Sequence, residues 1–210
     1  EFYYPSQDQR SQIHAIEWQP EGAVRGIVQI SHGMVEYIDR YDEFANYLCE
    51  RGYYVVGQDH LGHGRSVSHE DNLGFFHETH GNQHVIGDIK KLRQLTEEKF
   101  PSVPFFMLGH SMGSFLLRQY IQTEGKGLAG VMIMGTGYQP APPLHMGRLL
   151  CRIVAAVQGW HYRSAVINKL GIGGYNRSFQ PARTQVYGDV QVQSFYAQNG
   201  VDPPRTFLFS

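Results

Sequence analysis

PFFMLGHSMGSFLLRQYIQ, residues 104–122, runs a short apolar segment into an amphipathic one through Gly109-His110-Ser111-Met112-Gly113, a G-x-S-x-G pattern. With 24 glycines in 210 residues the pentapeptide alone is weak, and its context decides its meaning. PFFMLG (104–109) predicts a buried strand and GSFLLRQYIQ (113–122) a helix, so the serine falls at a strand-to-helix turn. Such a turn strains its central residue and brings neighbouring backbones together, leaving room only for hydrogen at Gly109 and Gly113. The Ser111 hydroxyl would then stand at the carboxyl edge of a sheet. A helix beginning at Met112 would also aim its free N–H groups and positive dipole end at an oxyanion formed there. The bland alternative is a glycine-rich turn in which Ser111 merely caps the helix.

Working outward, GIVQIS (26–31), YYVVGQD (53–59) and LAGVMIMG (128–135) also read as strands. Between them, Tyr41, Phe44, Ala45, Leu48 and Cys49 share one face of a helix that Gly52 closes, and Val85, Ile89, Leu92 and Leu95 mark another that ends before Pro101. This alternation predicts an α/β fold, a mostly parallel sheet with helices on both faces. The rhythm then changes. Met146, Leu149, Leu150, Ile153, Val154 and Val157 predict an amphipathic helix, SAVINKL (164–170) a short one, and the tail to Ser210 is irregular.

Charge marks the same change. Residues 1–124 hold 17 acids against 10 bases, whereas residues 125–188 carry seven bases and no acid. A net charge of −1 excludes the global basic field of a nucleic-acid binder. The N-terminal stretch has neither a basic nor an apolar leader segment, and no run reaches the ~18 apolar residues of a membrane span. Cys49 and Cys151 both fall in helical stretches, so buried thiols in a reducing, cytoplasmic setting are expected rather than a disulfide framework.

Two further motifs follow predicted strands: Ser31-His32-Gly33-Met34 and Asp59-His60-Leu61-Gly62-His63-Gly64-Arg65-Ser66. An oxyanion hole beside a nucleophile elbow takes one N–H from the residue after the nucleophile and one from the loop after an early strand. Met112 and Met34 are the candidate donors, through their backbones. His32 either shapes that loop or is an ordinary loop histidine. Asp59 to Ser66 reads as structural support.

SHGMVEYIDRYDEFANYLCERGYYVVGQDHLGHGRS (31–66) followed by FFMLGHSMGS (105–114) resembles the monoglyceride lipase and lysophospholipase branch of the α/β-hydrolases, which includes serine-aminopeptidase-like members. The resemblance implies an α/β-hydrolase core in residues 1–136 and a mobile, often lipid-facing cap in 137–210. It also implies hydrolysis of acyl esters of the monoacylglycerol or lysophospholipid type through an acyl-enzyme on Ser111, without metal or cofactor. Met34 and Met112 fall on the family's oxyanion donors, with His32, Gly33, Gly109, His110 and Gly113 as the supporting motif. Peripheral contact of the cap with a lipid surface is a further expectation, since the predicted helix at Met146–Val157 lies in the basic block.

The family's chain order is Ser, then Asp or Glu, then His. After Ser111 the acids are Glu124, Asp189 and Asp202 and the histidines His145 and His161, and none is placed as that order requires. The expectation is an incomplete hydrolase, with the acid and base absent from these residues and LAGVMIMG left as an apolar sheet edge. Its rival is a non-catalytic binding or regulatory protein on the same fold. His77-Glu78-Thr79-His80 with His84 spaces its first two histidines at i, i+3 rather than the i, i+4 of a zinc helix, and Gly135-Thr136-Gly137 lacks the third glycine of a dinucleotide loop.

Overall fold

The computed structural model describes residues 1–171. They divide between two compact units, Glu1–Gln139 and a second that begins at Pro140. The first is built on six strands: β1 (Phe2–Pro5), β2 (Gln12–Trp18), β3 (Gly26–Ser31), β4 (Tyr53–Gln58), β5 (Phe105–His110) and β6 (Gly130–Met134). They lie in the order β1-β2-β4-β3-β5-β6. β3 to β6 are mutually parallel, while β2 pairs antiparallel with both β1 and β4.

The central strands form where the sequence offers continuous apolar runs, because a parallel strand covered on both faces cannot afford alternation. Every residue of β3 is buried, and β4 is buried from Tyr54 onward. Their one polar side chain in mid-strand, Gln29, donates its Nε2 to the Ile89 carbonyl at 2.9 Å. Helices α1 (Asp42–Cys49), α2 (Gly81–Lys99) and α3 (Met112–Glu124) cross between strands. Val85, Ile89 and Leu92 of α2 and Leu116, Leu117 and Tyr120 of α3 pack with Tyr54, Val56 and Met107 into one core cluster. A second cluster joins Val28, Val55 and Leu108 to Ala45 of α1.

The order of strands positions the site. The chain moves from β3 to β4 on one side and then returns to place β5 on the other side of β3. At such a reversal the loops leaving two adjacent strands diverge, opening a crevice at their carboxyl ends. Ser31 pairs with Gly109, so the loop after β3 and the turn after β5 emerge side by side although about 80 residues separate them.

Two features differ from the sequence reading. β1 and β2 were not anticipated: they extend the sheet with antiparallel strands whose ladder depends on partners rather than on a local apolar run. The cysteines are not both buried: Cys49 is half-buried and Cys151 exposed. β6 pairs with β5 alone among the described residues and exposes Met132 and Met134. In the second unit, α4 (Ala141–Gln158) and α5 (Ala165–Gly171) are helical where periodicity indicated, and α4 exposes Met146, Leu149, Ile153 and Val157. No described helix is long and apolar enough to cross a membrane.

Candidate active site

Ser111 stands between β5 and α3 with φ 50° and ψ −116°, a conformation a residue bearing a Cβ rarely adopts. Close packing forces it. A Cβ at Gly109 would lie 2.6 Å from the Gly113 carbonyl oxygen, and one at Gly113 would lie 2.0 Å from that of Ser31. The turn is pinned from outside by the Ser111 N–H, which donates to the Met134 carbonyl at 3.0 Å. Although Ser111 occupies the position before the helix, its side chain makes no capping bond. Ser114 instead closes the turn, its N–H (3.0 Å) and Oγ (2.6 Å) both donating to the Ser111 carbonyl. The hydroxyl of Ser111 is therefore not spent on holding the helix, which removes the cap as the reason for a serine here.

The loop after β3 is built around His32 and Glu36. His32 is fully buried; its Nδ1 donates to the Gly33 carbonyl at 2.7 Å and its Nε2 accepts the His60 N–H at 3.0 Å. Both ring nitrogens are thus assigned, and only the neutral tautomer protonated at Nδ1 satisfies them. Its ring packs 4.2 Å from His60 and 5.5 Å from His63. Burial, and then the neighbouring imidazoles, hold His32 well below the usual histidine range. Burial likewise pushes His60 down to about 3 and lowers His63. His32 therefore shapes the loop as a neutral hydrogen-bonding strut.

Met34, 44% exposed, follows Gly33 in this loop, and Met112 begins α3 and is part-buried against the core. The backbone N–H of Met34 has no hydrogen-bond partner among the described residues. A Cβ at Gly33 would lie 3.2 Å from the Ser111 Cβ, so the loop and the nucleophile turn touch. His110, beside the serine, presents Nδ1 at 3.5 Å from Glu36 Oε2. Sequence reasoning missed Glu36, which lies two residues past the Ser31–Met34 motif and carries no spacing that sets it apart from a solvated loop acid.

Asp59 lies apart from this chemistry. Its Oδ1 accepts the Ile38 N–H (2.7 Å), and its Oδ2 accepts His14 Nδ1 (2.8 Å) and the Arg65 N–H (2.8 Å). Gly64 has room for no side chain beside that carboxylate. Among the described residues, His14, Asp39 and Asp59 form the one group of three side chains close enough to share a metal ion. The guanidinium of Arg65 already serves as its cation, 3.0 Å from Asp39 Oδ1 and 3.4 Å from His14 Nε2. His77, His80 and His84 do not converge into such a group: His77 Nδ1 faces its own loop at Thr79, and His80 starts α2 in a left-handed conformation.

A strained serine between a parallel strand and a helix, with a glycine loop from the neighbouring strand against it, defines an α/β-hydrolase. The chain belongs to the serine aminopeptidase S33 family, whose profile matches residues 22–198. It is 34% identical over 96 residues to the monoglyceride lipase of Mus musculus, an alignment covering 46% of this chain and 30% of that protein. A thermostable carboxyl esterase from Bacillus coagulans, solved with glycerol, superposes over 98% of this chain and 66% of its own with a TM-score of 0.81 and 27% identity. Monoglyceride lipase from Saccharomyces cerevisiae shares the fold with a TM-score of 0.60 at 24% identity, over 75% of this chain and 52% of that one. The matches thus span 30% of the mouse lipase and 66% of the Bacillus esterase.

Proposed function

We propose that the protein is a serine hydrolase that cleaves carboxylic esters of the monoacylglycerol or lysophospholipid type through an acyl-enzyme on Ser111. The observation that carries this reading is the hydroxyl of Ser111, held at positive φ on a turn too tight for any side chain at Gly109 or Gly113 and left without a hydrogen bond among the described residues. Strain of this kind persists only where the surrounding structure over-determines it, and it clusters at active sites. Oγ attacks the ester carbonyl carbon and its proton passes to a base. The N–H groups of Met34 and Met112 hold the oxyanion. Collapse expels the alcohol, which takes up the proton, and water then releases the fatty acid. No imidazole among the described residues hydrogen-bonds Ser111, and none of them is assigned as the base.

The second unit acts as a cap facing the lipid. α4 exposes Met146, Leu149, Ile153 and Val157 in a segment with Arg148 and Arg152 and no acid, the composition of an interfacial helix. Stronger co-sedimentation with anionic than with neutral vesicles is expected. Equal binding to both, or to neither, removes the lipid-surface role.

An alkyl fluorophosphonate should label the chain at Ser111 and nowhere after Ser111→Ala. Turnover of short acyl esters should fall sharply with Ser111→Ala, because the acyl-enzyme forms on its Oγ. Ester turnover unaffected by Ser111→Ala would leave a binding protein on a hydrolase fold as the better account.

A further inference from the structure

Glu36 has a part-buried carboxylate surrounded by donors where the loop after β3 touches the nucleophile turn. Oε2 accepts the Gly33 N–H at 2.9 Å and the Tyr41 hydroxyl at 3.0 Å, and His110 Nδ1 lies 3.5 Å away. Oε1 faces Arg40 Nη1 at 3.4 Å. The peptide of Gly33 is engaged at both ends: its carbonyl accepts from His32 and its N–H donates to Glu36. The Met34 N–H, next in the loop, has no hydrogen-bond partner among the described residues. Val35, next in sequence, has φ 58°, a left-handed conformation that a β-branched residue adopts only when its surroundings impose it. The Glu36 carboxylate bridges back across this residue from position 36 to position 33.

We propose that Glu36 is the positioning residue of the oxyanion hole: it clamps Gly33, holds Val35 left-handed, and thereby turns the Met34 N–H toward Ser111. The proposal rests on the hydrolase reading. Glu36 touches no reacting atom in this role. Its effect passes through the backbone, and Tyr41 acts one step further out by anchoring the carboxylate. A donor displaced by about 1 Å loses much of its worth, since such misplacement costs up to about a hundredfold in rate.

Two readouts test it, on the chain itself and on Glu36→Ala, Glu36→Gln, Tyr41→Phe and Ser111→Ala. The first is hydrogen exchange of the Gly33 amide by NMR. The second is acylation by p-nitrophenyl acetate, followed as nitrophenolate release. Glu36→Ala should speed Gly33 exchange about tenfold or more and slow Ser111-dependent acylation about tenfold to a hundredfold, with KM held within about twofold. Glu36→Gln keeps an oxygen to accept the Gly33 N–H and should restore most of both. Tyr41→Phe leaves the loop sequence intact and should move both in the same direction by less. Gly33 exchange unchanged in Glu36→Ala and Tyr41→Phe overturns the clamp, as does Ser111-dependent acylation that ignores both. Acylation indifferent to Ser111→Ala overturns the hydrolase reading instead, and is told apart because Gly33 exchange would still answer to Glu36.

Discussion

Asp88 on α2 should make the protein lose stability as pH rises from 5 to 8, the reverse of what a salt-bridged carboxylate does. Its side chain is fully buried, and its partners are neutral: Oδ1 accepts the Gln7 N–H at 2.7 Å and Oδ2 the Ser6 hydroxyl at 2.8 Å. The Tyr4 hydroxyl lies 3.0 Å from its carbonyl oxygen, so the residue ties the segment after β1 to the helix. Burial raises its pKa from 3.8 to about 7, with those two hydrogen bonds opposing. Between these values the folded protein holds a proton that the unfolded chain has released, and stability falls with increasing pH. At about 1.4 kcal/mol per unit the cost approaches about 4 kcal/mol at pH 8, of which about 1.5 kcal/mol is already present at pH 5. The remaining loss of about 2.5 kcal/mol corresponds to a fall of about 5–10 °C in melting temperature for a chain of this size. Asp88→Asn is neutral throughout, with its amide oxygen accepting from Gln7 and its NH₂ donating to Ser6. Its melting temperature, followed by circular dichroism, should therefore gain on the parent by that amount between pH 5 and pH 8. Taking the difference between the two proteins at each pH cancels every other titrating group. A gap that stays constant across this range would mean that Asp88 is ionised in the folded state and that the assigned cause is wrong.

Gly113→Ala should prevent folding or cost more than about 3 kcal/mol, because its Cβ would sit 2.0 Å from a strand carbonyl with no flexible atom to yield; an unchanged thermal melt would contradict the packing of the elbow. Val35→Gly should raise the melting temperature by about 2–4 °C, as relief of left-handed strain outweighs the entropy glycine adds to the unfolded chain; a lower melting temperature would show that the loop is not strained. His60, depressed to about 3, binds its proton more weakly folded than unfolded, so it contributes stability above about pH 6.5 that drains away as pH falls toward 3. Urea melts of His60→Gln should show a shallower acid loss than the parent, and parallel acid profiles would count against a neutral buried imidazole.

Much of the fold was legible in local sequence. β3, β4 and β5 are buried on both faces, so each had to be written as an unbroken apolar run, and α1 and α2 bury one stripe and show it every three to four residues. The elbow was legible for a related reason: Gly109 and Gly113 answer to steric limits that only glycine meets, and the serine lies between them. β1 and β2 escaped, since an antiparallel strand at a sheet margin takes its register from its partner. The roles of Glu36 and Asp88 escaped as well. A carboxylate looks the same in sequence whether it meets water or a Gly33 amide, and Asp88 faces Ser6 and Gln7 across more than 80 residues of chain. That the glycine loop serves the serine at all depends on β5 settling beside β3 rather than β4, with Ser31 opposite Gly109. Sequence by itself determined which segments must be buried and where only hydrogen fits, because those demands are local. Which loop meets which turn, and what each polar side chain is worth there, was decided by strand order, because hydrogen bonds and burial act between groups that only the folded sheet brings together.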